Sequence, residues 1–185
     1  YRTYYQPDNA VLIVAGRFEE AEALATIQKH FGGIPRPTRA LPLTYTAEPV
    51  QDGERNVILR RVGDVQIVSA FYHLPGGSHP DHAALDVLVG ALGHTPTGRL
   101  HKGLVESGKA SSAFGWENQH REAGYAYFGS TVRLGLPLEA ARDALIEIVE
   151  GVTRAPITQE EMERSRTRLL NDIEMTIANS RALAM

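Results

Sequence analysis

Seven histidines and no cysteine bound the chemistry open to this 185-residue chain. Without thiols there is neither a disulfide nor a thiolate metal site, so any metal would rest on imidazoles and carboxylates. The densest grouping is His79-Pro80-Asp81-His82, with Asp86 one turn beyond His82. On a helix, the i to i+4 spacing brings His82 and Asp86 onto one face. Pro80 places His79 before or at the helix cap, and no Glu occupies the position of a general base. Polar residues opening a helix satisfy the same pattern, so the sequence assigns no metal ligand. His30, His73, His94, His101 and His120 are scattered and read as surface or loop-end residues. Pro75-Gly76-Gly77-Ser78 precedes a helix, as an anion site would, but no Lys or wider phosphate-loop pattern accompanies it, and it reads as a turn. No Ser-His-Asp set follows from spacing. Catalytic residues are therefore assigned nowhere, and substrate-binding residues stay unidentified.

The elements that would position these groups follow from periodicity. Leu85, Leu88, Val89 and Leu92 recur at i, i+3, i+4, i+7, predicting a helix entered through Pro80 and Asp81. After a break at Gly93–Thr97, Leu100 and Leu104 continue the stripe until Gly108 stops it. Upstream, the apolar run Val11–Ala15 predicts a buried strand, and Phe18–Phe31 a helix with Leu24, Ile27 and Phe31 on one face. Ile34–Gly53 holds four prolines and no periodicity, which predicts an extended connector.

Arg55–Val62 and Val65–Leu74 read as a hairpin about Gly63-Asp64. Ala110–Asn118 and Gly124–Leu134 read as a second, joined through Gln119–Ala123. In the last strand Ala126, Phe128, Val132 and Leu134 alternate with Tyr125, Tyr127, Thr131 and Arg133, so one face is buried. A helix follows Pro137, with Leu138, Ala141, Leu145, Ile148, Val149 and Val152 inward, and Pro156 ends it. Thr158-Gln159-Glu160-Glu161 is a capping box opening a final helix, whose stripe is Met162, Leu169, Ile173 and Ile177 and whose charges from Gln159 to Asp172 form a solvated face. The order ββααββαα predicts an α+β fold, a mostly antiparallel four-strand sheet covered by helices on one face.

Composition excludes some function classes. A net charge of −3 provides no basic footprint for nucleic acid, and no apolar run reaches membrane-spanning length. The chain opens on Tyr1, not Met, and its last helix meets no stop signal, so it reads as a piece of a longer protein.

Two stretches resemble the M16 (pitrilysin/insulinase) zinc metallopeptidases. Tyr4-Tyr5-x-Pro7-Asp8-Asn9-Ala10-Val11-Leu12-Ile13-Val14-Ala15-Gly16 matches one hallmark. Arg99, Leu100 and Leu104 match the Leu-rich helix of the C-terminal, non-catalytic domain. The resemblance implies residues 1–33 as the tail of an upstream catalytic domain, 34–54 as linker, and 55–185 as the non-catalytic domain truncated at its end. It implies a parent zinc endopeptidase that hydrolyses enclosed peptides with zinc-activated water, the peptide lying as an added strand at a sheet edge. The inverted motif H-x-x-E-H, which would hold that zinc, is absent here, so this piece is expected to be inert and to hold no cofactor of its own.

Family halves that grip substrate carry an Arg and then a Tyr at positions that fall on Val105 and about Ser111. Neither matches, so the piece resembles the second domain of the zinc-bearing half, a structural chamber wall. Tyr125, Tyr127, Phe128, Trp116 and Phe114 could line such a wall, although core packing is the first reading for most. Expected partners are peptide substrates, the rest of the parent chain or a second M16-type half, and a neighbouring copy through an open sheet edge to which Ala10–Gly16 could add. A non-catalytic scaffold or processing-peptidase-like subunit on the same fold is the alternative. The compartment is undetermined, with periplasm suggested only by exported bacterial relatives.

Overall fold

The computed structural model describes residues 2–42 and 50–179. The chain divides into two compact units, Tyr1–Ile58 with Ile173–Met185, and Leu59–Asp172. The fold class is the expected one: α+β, with an antiparallel sheet carrying helices on one face.

The second unit is built on the sheet order β1-β3-β2, with β1 at Val65–Leu74, β2 at Ser112–Asn118 and β3 at Gly124–Arg133. Strand β3 is central. It pairs with β1 from Val65↔Arg133 to Leu74↔Gly124, and with β2 from Ser112↔Thr131 to Asn118↔Tyr125. This register puts Ala126, Phe128, Ser130 and Val132 on one face, where all four are buried. Leu134, expected to continue that face, lies beyond the ladder and is exposed. Helix α2 (His82–Gly93), a π-helical turn at His101–Glu106 and α3 (Leu138–Glu150) cover the buried face. Leu92, Leu100, Leu104, Val132 and Leu145 are almost wholly removed from water, each contributing about 1.5–3 kcal/mol of apolar burial. Gly108, at φ +74°, closes the π-helical turn where the sequence places a stop.

Helix α4 (Gln159–Ala178) opens on the predicted capping box. The Glu161 backbone N–H donates to Thr158 Oγ1 at 3.2 Å, and the Thr158 N–H donates to Glu161 Oε2 at 2.8 Å. Its predicted stripe is not a buried one, because Met162, Ile173 and Ile177 are exposed. The helix instead presents Ser165 to α2, where the hydroxyl donates to the Val87 carbonyl at 3.0 Å and Gly90 leaves room for it. Thr158→Ala should cost about 1 kcal/mol, the usual worth of an N-cap. A thermal midpoint lowered by about 2–4 °C would show it, and an unchanged midpoint would mean the box is not needed.

Two predicted strands do not form. Residues 54–62 carry no ladder, and Val57, Ile58, Leu59 and Val62 are exposed. Ala10–Gly16 carries none either, with Val11 to Val14 exposed. Both runs have strand composition, but a strand is stable only with a partner and a covered face. In the first unit α1 (Glu20–Phe31) forms as expected, yet Leu24 and Phe31 face solvent. Pro7–Asn9 is a single 3₁₀ turn, anchored where Arg39 pairs Asp8 through two hydrogen bonds of 3.0 and 2.9 Å. Residues 43–49 of the expected connector lie outside the described residues; 34–42 and 50–53 hold neither helix nor strand. No helix among the described residues is long and apolar enough to cross a membrane.

Candidate functional site

The uncovered face of the sheet is aromatic. Pairing fixes which side chains share it: Phe71 opposite Tyr127, His73 opposite Tyr125, and Trp116 opposite Tyr127. Tyr127 lies at the centre, with ring centroids 4.5 Å from Phe71, 5.0 Å from Trp116 and 5.5 Å from Phe114. Tyr125 extends the patch, 5.7 Å from Phe71 and 5.8 Å from Trp116. Hydrogen bonds hold both phenols, Tyr127 with Ser69 at 3.0 Å and Tyr125 accepting from Asn118 at 3.2 Å. Phe71 is 63% exposed and Trp116 45%. Core packing, the first reading for these rings, therefore holds only for Phe128, which is buried on the other face. Strand alternation already placed Tyr125 and Tyr127 opposite Phe128. Phe71 joins them only through the long-range β1–β3 pairing, which the sequence did not reveal.

On the covered face lies a polar cluster. His82, in the first turn of α2, and Asp86, one turn on, come together as the i to i+4 spacing predicts, with Nδ1 3.7 Å from Asp86 Oδ1. Glu117 of β2 completes the set, its Oε2 3.4 Å from the same Nδ1. One ligand-capable atom from each residue lies within 4.8 Å of the others. These contacts are of ion-pair length but lack hydrogen-bond alignment. Both His82 ring nitrogens, Asp86 Oδ1 and Glu117 Oε2 are buried without a hydrogen-bond partner.

Burial, then the neighbouring Asp86 carboxyl, push the Glu117 carboxyl up to about 7 against the opposing pull of His82. His79, at the cap, stays outside: it is half exposed and accepts the Asp81 backbone N–H at 3.2 Å. Sequence reasoning missed Glu117, 31 residues from Asp86. Its signal was a carboxylate in the same alternation register as Ala113 and Gly115, on the strand face that is otherwise small and apolar.

Of the motif residues, Arg99 is structural. Its guanidinium donates to both Glu161 oxygens at 2.8 and 2.7 Å, and to the carbonyls of Ala155 and Pro156 at 2.6 and 2.8 Å. That pairing holds the Glu161 carboxyl down at about 2. Leu100 and Leu104 are core residues. Val105 packs against the core, and Ser111 is tied to the Thr131 carbonyl through its N–H and its hydroxyl. Neither position presents a cation or phenol. Among the remaining histidines, His94 departs from a plain surface reading: it is half-buried, hydrogen-bonds Thr97 at 3.0 Å, and lines a cavity of about 180 Å³ with Arg164 and Arg168. Burial, then Arg168, lowers its pKa.

Comparison with known proteins gives a consistent picture. A family model described as the peptidase M16 inactive domain matches residues 1–169. The zinc protease PqqE of Helicobacter pylori is 28% identical over 184 residues, which are 98% of this chain and 41% of that protein. A crystal structure of a protease from Helicobacter pylori superposes with a TM-score of 0.90 at 27% identity, over 98% of this chain and 45% of that one. A crystallised inactive peptidase domain from Bordetella parapertussis matches at 34% identity and a TM-score of 0.61, over 69% of each chain. The chain thus spans about two-fifths of the length of the curated relative it matches.

Proposed function

The chain belongs to the peptidase M16 inactive-domain family, and from that premise we propose that its work is to wall the peptide chamber of a zinc endopeptidase. The aromatic face of the sheet carries this reading. Five rings cluster on this uncovered face, with Phe71 and Trp116 well exposed, and an exposed aromatic cluster offers apolar contact to extended peptides of many sequences.

The chain's own residues do not fit the catalytic zinc of the family, since no H-x-x-E-H string occurs in the sequence. Peptide hydrolysis therefore belongs to another part of the parent protein, and this chain alone is inert. We place residues 1–33 in the preceding domain, 34–54 in a linker and 55–185 in the chamber-wall domain. The rest of the parent, or a second M16-type half, would cover what is open here, including the exposed Val57, Ile58, Leu59 and Val62.

Trp116 is the sole tryptophan and sits in the patch, so it reports directly. Titration with an unfolded, cysteine-free peptide should shift its emission to the blue and saturate. Phe71→Ser should weaken that binding about three- to tenfold, the worth of about 0.5–1.5 kcal/mol for one aromatic contact. An emission spectrum indifferent to peptide would sink the reading. So would zinc-dependent peptidase activity from this chain by itself.

A further inference from the structure

His82, Asp86 and Glu117 form a cluster that is incomplete as it stands. A buried neutral imidazole carries one donor and one acceptor, and leaving both unmatched is costly. His82 is only 6% exposed, and neither ring nitrogen has a hydrogen-bond partner. Two carboxylate oxygens, equally buried and equally unpartnered, face the same ring. Had these groups settled as a charge-assisted hydrogen-bonded triad, their separations would be about 2.7–2.9 Å. They are 3.4 and 3.7 Å from Nδ1 instead.

Those separations suit ligands shared by one small cation, and the three atoms all lie within 4.8 Å of one another. Ligands about 2.1 Å from a tetrahedral zinc stand about 3.4 Å from one another. We propose that His82, Asp86 and Glu117 bind a divalent transition-metal ion of the zinc type, which fastens the first turns of α2 to β2.

The donor set selects the class. One imidazole with two carboxylates suits zinc and its first-row neighbours, whereas calcium takes six to eight oxygens and magnesium keeps most of its water. Three protein ligands leave a fourth position to water. The ligands sit on two rigid elements, the i to i+4 pair on α2 and an inward register position on β2, so the site is largely preformed.

The test uses the untagged chain, stripped with chelator and dialysed. Added Zn²⁺ should bind with a stoichiometry near one by calorimetry and mass spectrometry, and saturating zinc should raise the thermal midpoint by about 5 °C. Co²⁺ should give the visible absorption of a four-coordinate site. Asp86→Asn and Glu117→Gln keep side-chain volume; each should fold by circular dichroism and lose at least tenfold in affinity. His79→Ala should bind as the parent chain does. Because H-x-x-E-H is absent, zinc retained by this chain reports on this cluster or on stray surface histidines. Absence of saturable binding overturns the proposal. So does zinc bound equally well by both carboxamide variants, or lost in His79→Ala.

Discussion

Gly115→Val should lower the unfolding free energy by about 3 kcal/mol, the upper end of what overpacking costs. Helix α2 ends against β2 with almost no side chain between the two backbones. A Cβ on Gly115 would stand 2.6 Å from Phe128 Cδ1 and 2.9 Å from Gly93 Cα. A Cβ on Gly93 would strike the Gly115 backbone itself. Phe128 is buried in the core and cannot swing aside cheaply, and the helix cannot retreat without uncovering Leu92. Valine at 115 must therefore separate the layers. The matched control is Gly63→Val, where a Cβ meets nothing within 4 Å and the change should stay within about 0.5 kcal/mol. Urea unfolding of the two variants decides it: equal midpoints would mean the glycine crossing is not a packing constraint. Because the same crossing positions α2 over β2, Gly115→Val should also disturb the His82–Glu117 separation.

Neither glycine was legible in that role. Gly93 reads in the sequence as the break between two helical segments, which it also is, while its contact lies 22 residues away. The same limit explains the other differences. Periodicity located α2, the turn carrying Leu104, α3, β2 and β3, because each buries a stripe against neighbours inside its own unit. It placed Val11–Ala15 and Arg55–Val62 in strands because their side chains suit a sheet, but composition cannot supply the partner a ladder requires. It placed Met162, Ile173 and Ile177 on a buried stripe, whereas the close approach of α4 is made by Ser165 against Gly90, which suits two backbones drawing near.

For the polar cluster, two of the three groups were legible as an i to i+4 pair, and the third needed the α2–β2 packing. The aromatic face was half legible: alternation separates Tyr125 and Tyr127 from Phe128, but only the register brings Phe71 and Trp116 to Tyr127.

Arg99→Ala should cost about 3 kcal/mol at neutral pH, and the cost should fade in acid. Arg99 joins the helical segment after α2 to the start of α4 through four hydrogen bonds, two of them to Glu161. Removing it strands the Ala155 and Pro156 carbonyls and leaves a half-buried carboxylate held only by Thr158. Hydrogen bonding from Arg99 is the largest cause of the depressed Glu161 pKa, moved from 4.5 to about 2.

A carboxyl whose folded pKa lies below its unfolded value binds its proton more readily when unfolded. Its stabilising contribution is therefore complete above pH 4.5 and disappears as the pH falls through about 2. Unfolding followed from pH 6 to pH 2 should thus show the parent chain losing stability more steeply than Glu161→Gln, with the two curves converging at the acid end. Arg99→Lys should recover less than half of the loss, because an ammonium cannot reproduce a planar fork serving both carboxylate oxygens and two carbonyls. If Arg99→Ala and the parent chain keep a constant separation down to pH 2, the depressed carboxyl is not the source of the stabilisation. Arg99 would then matter only through the two carbonyls it caps.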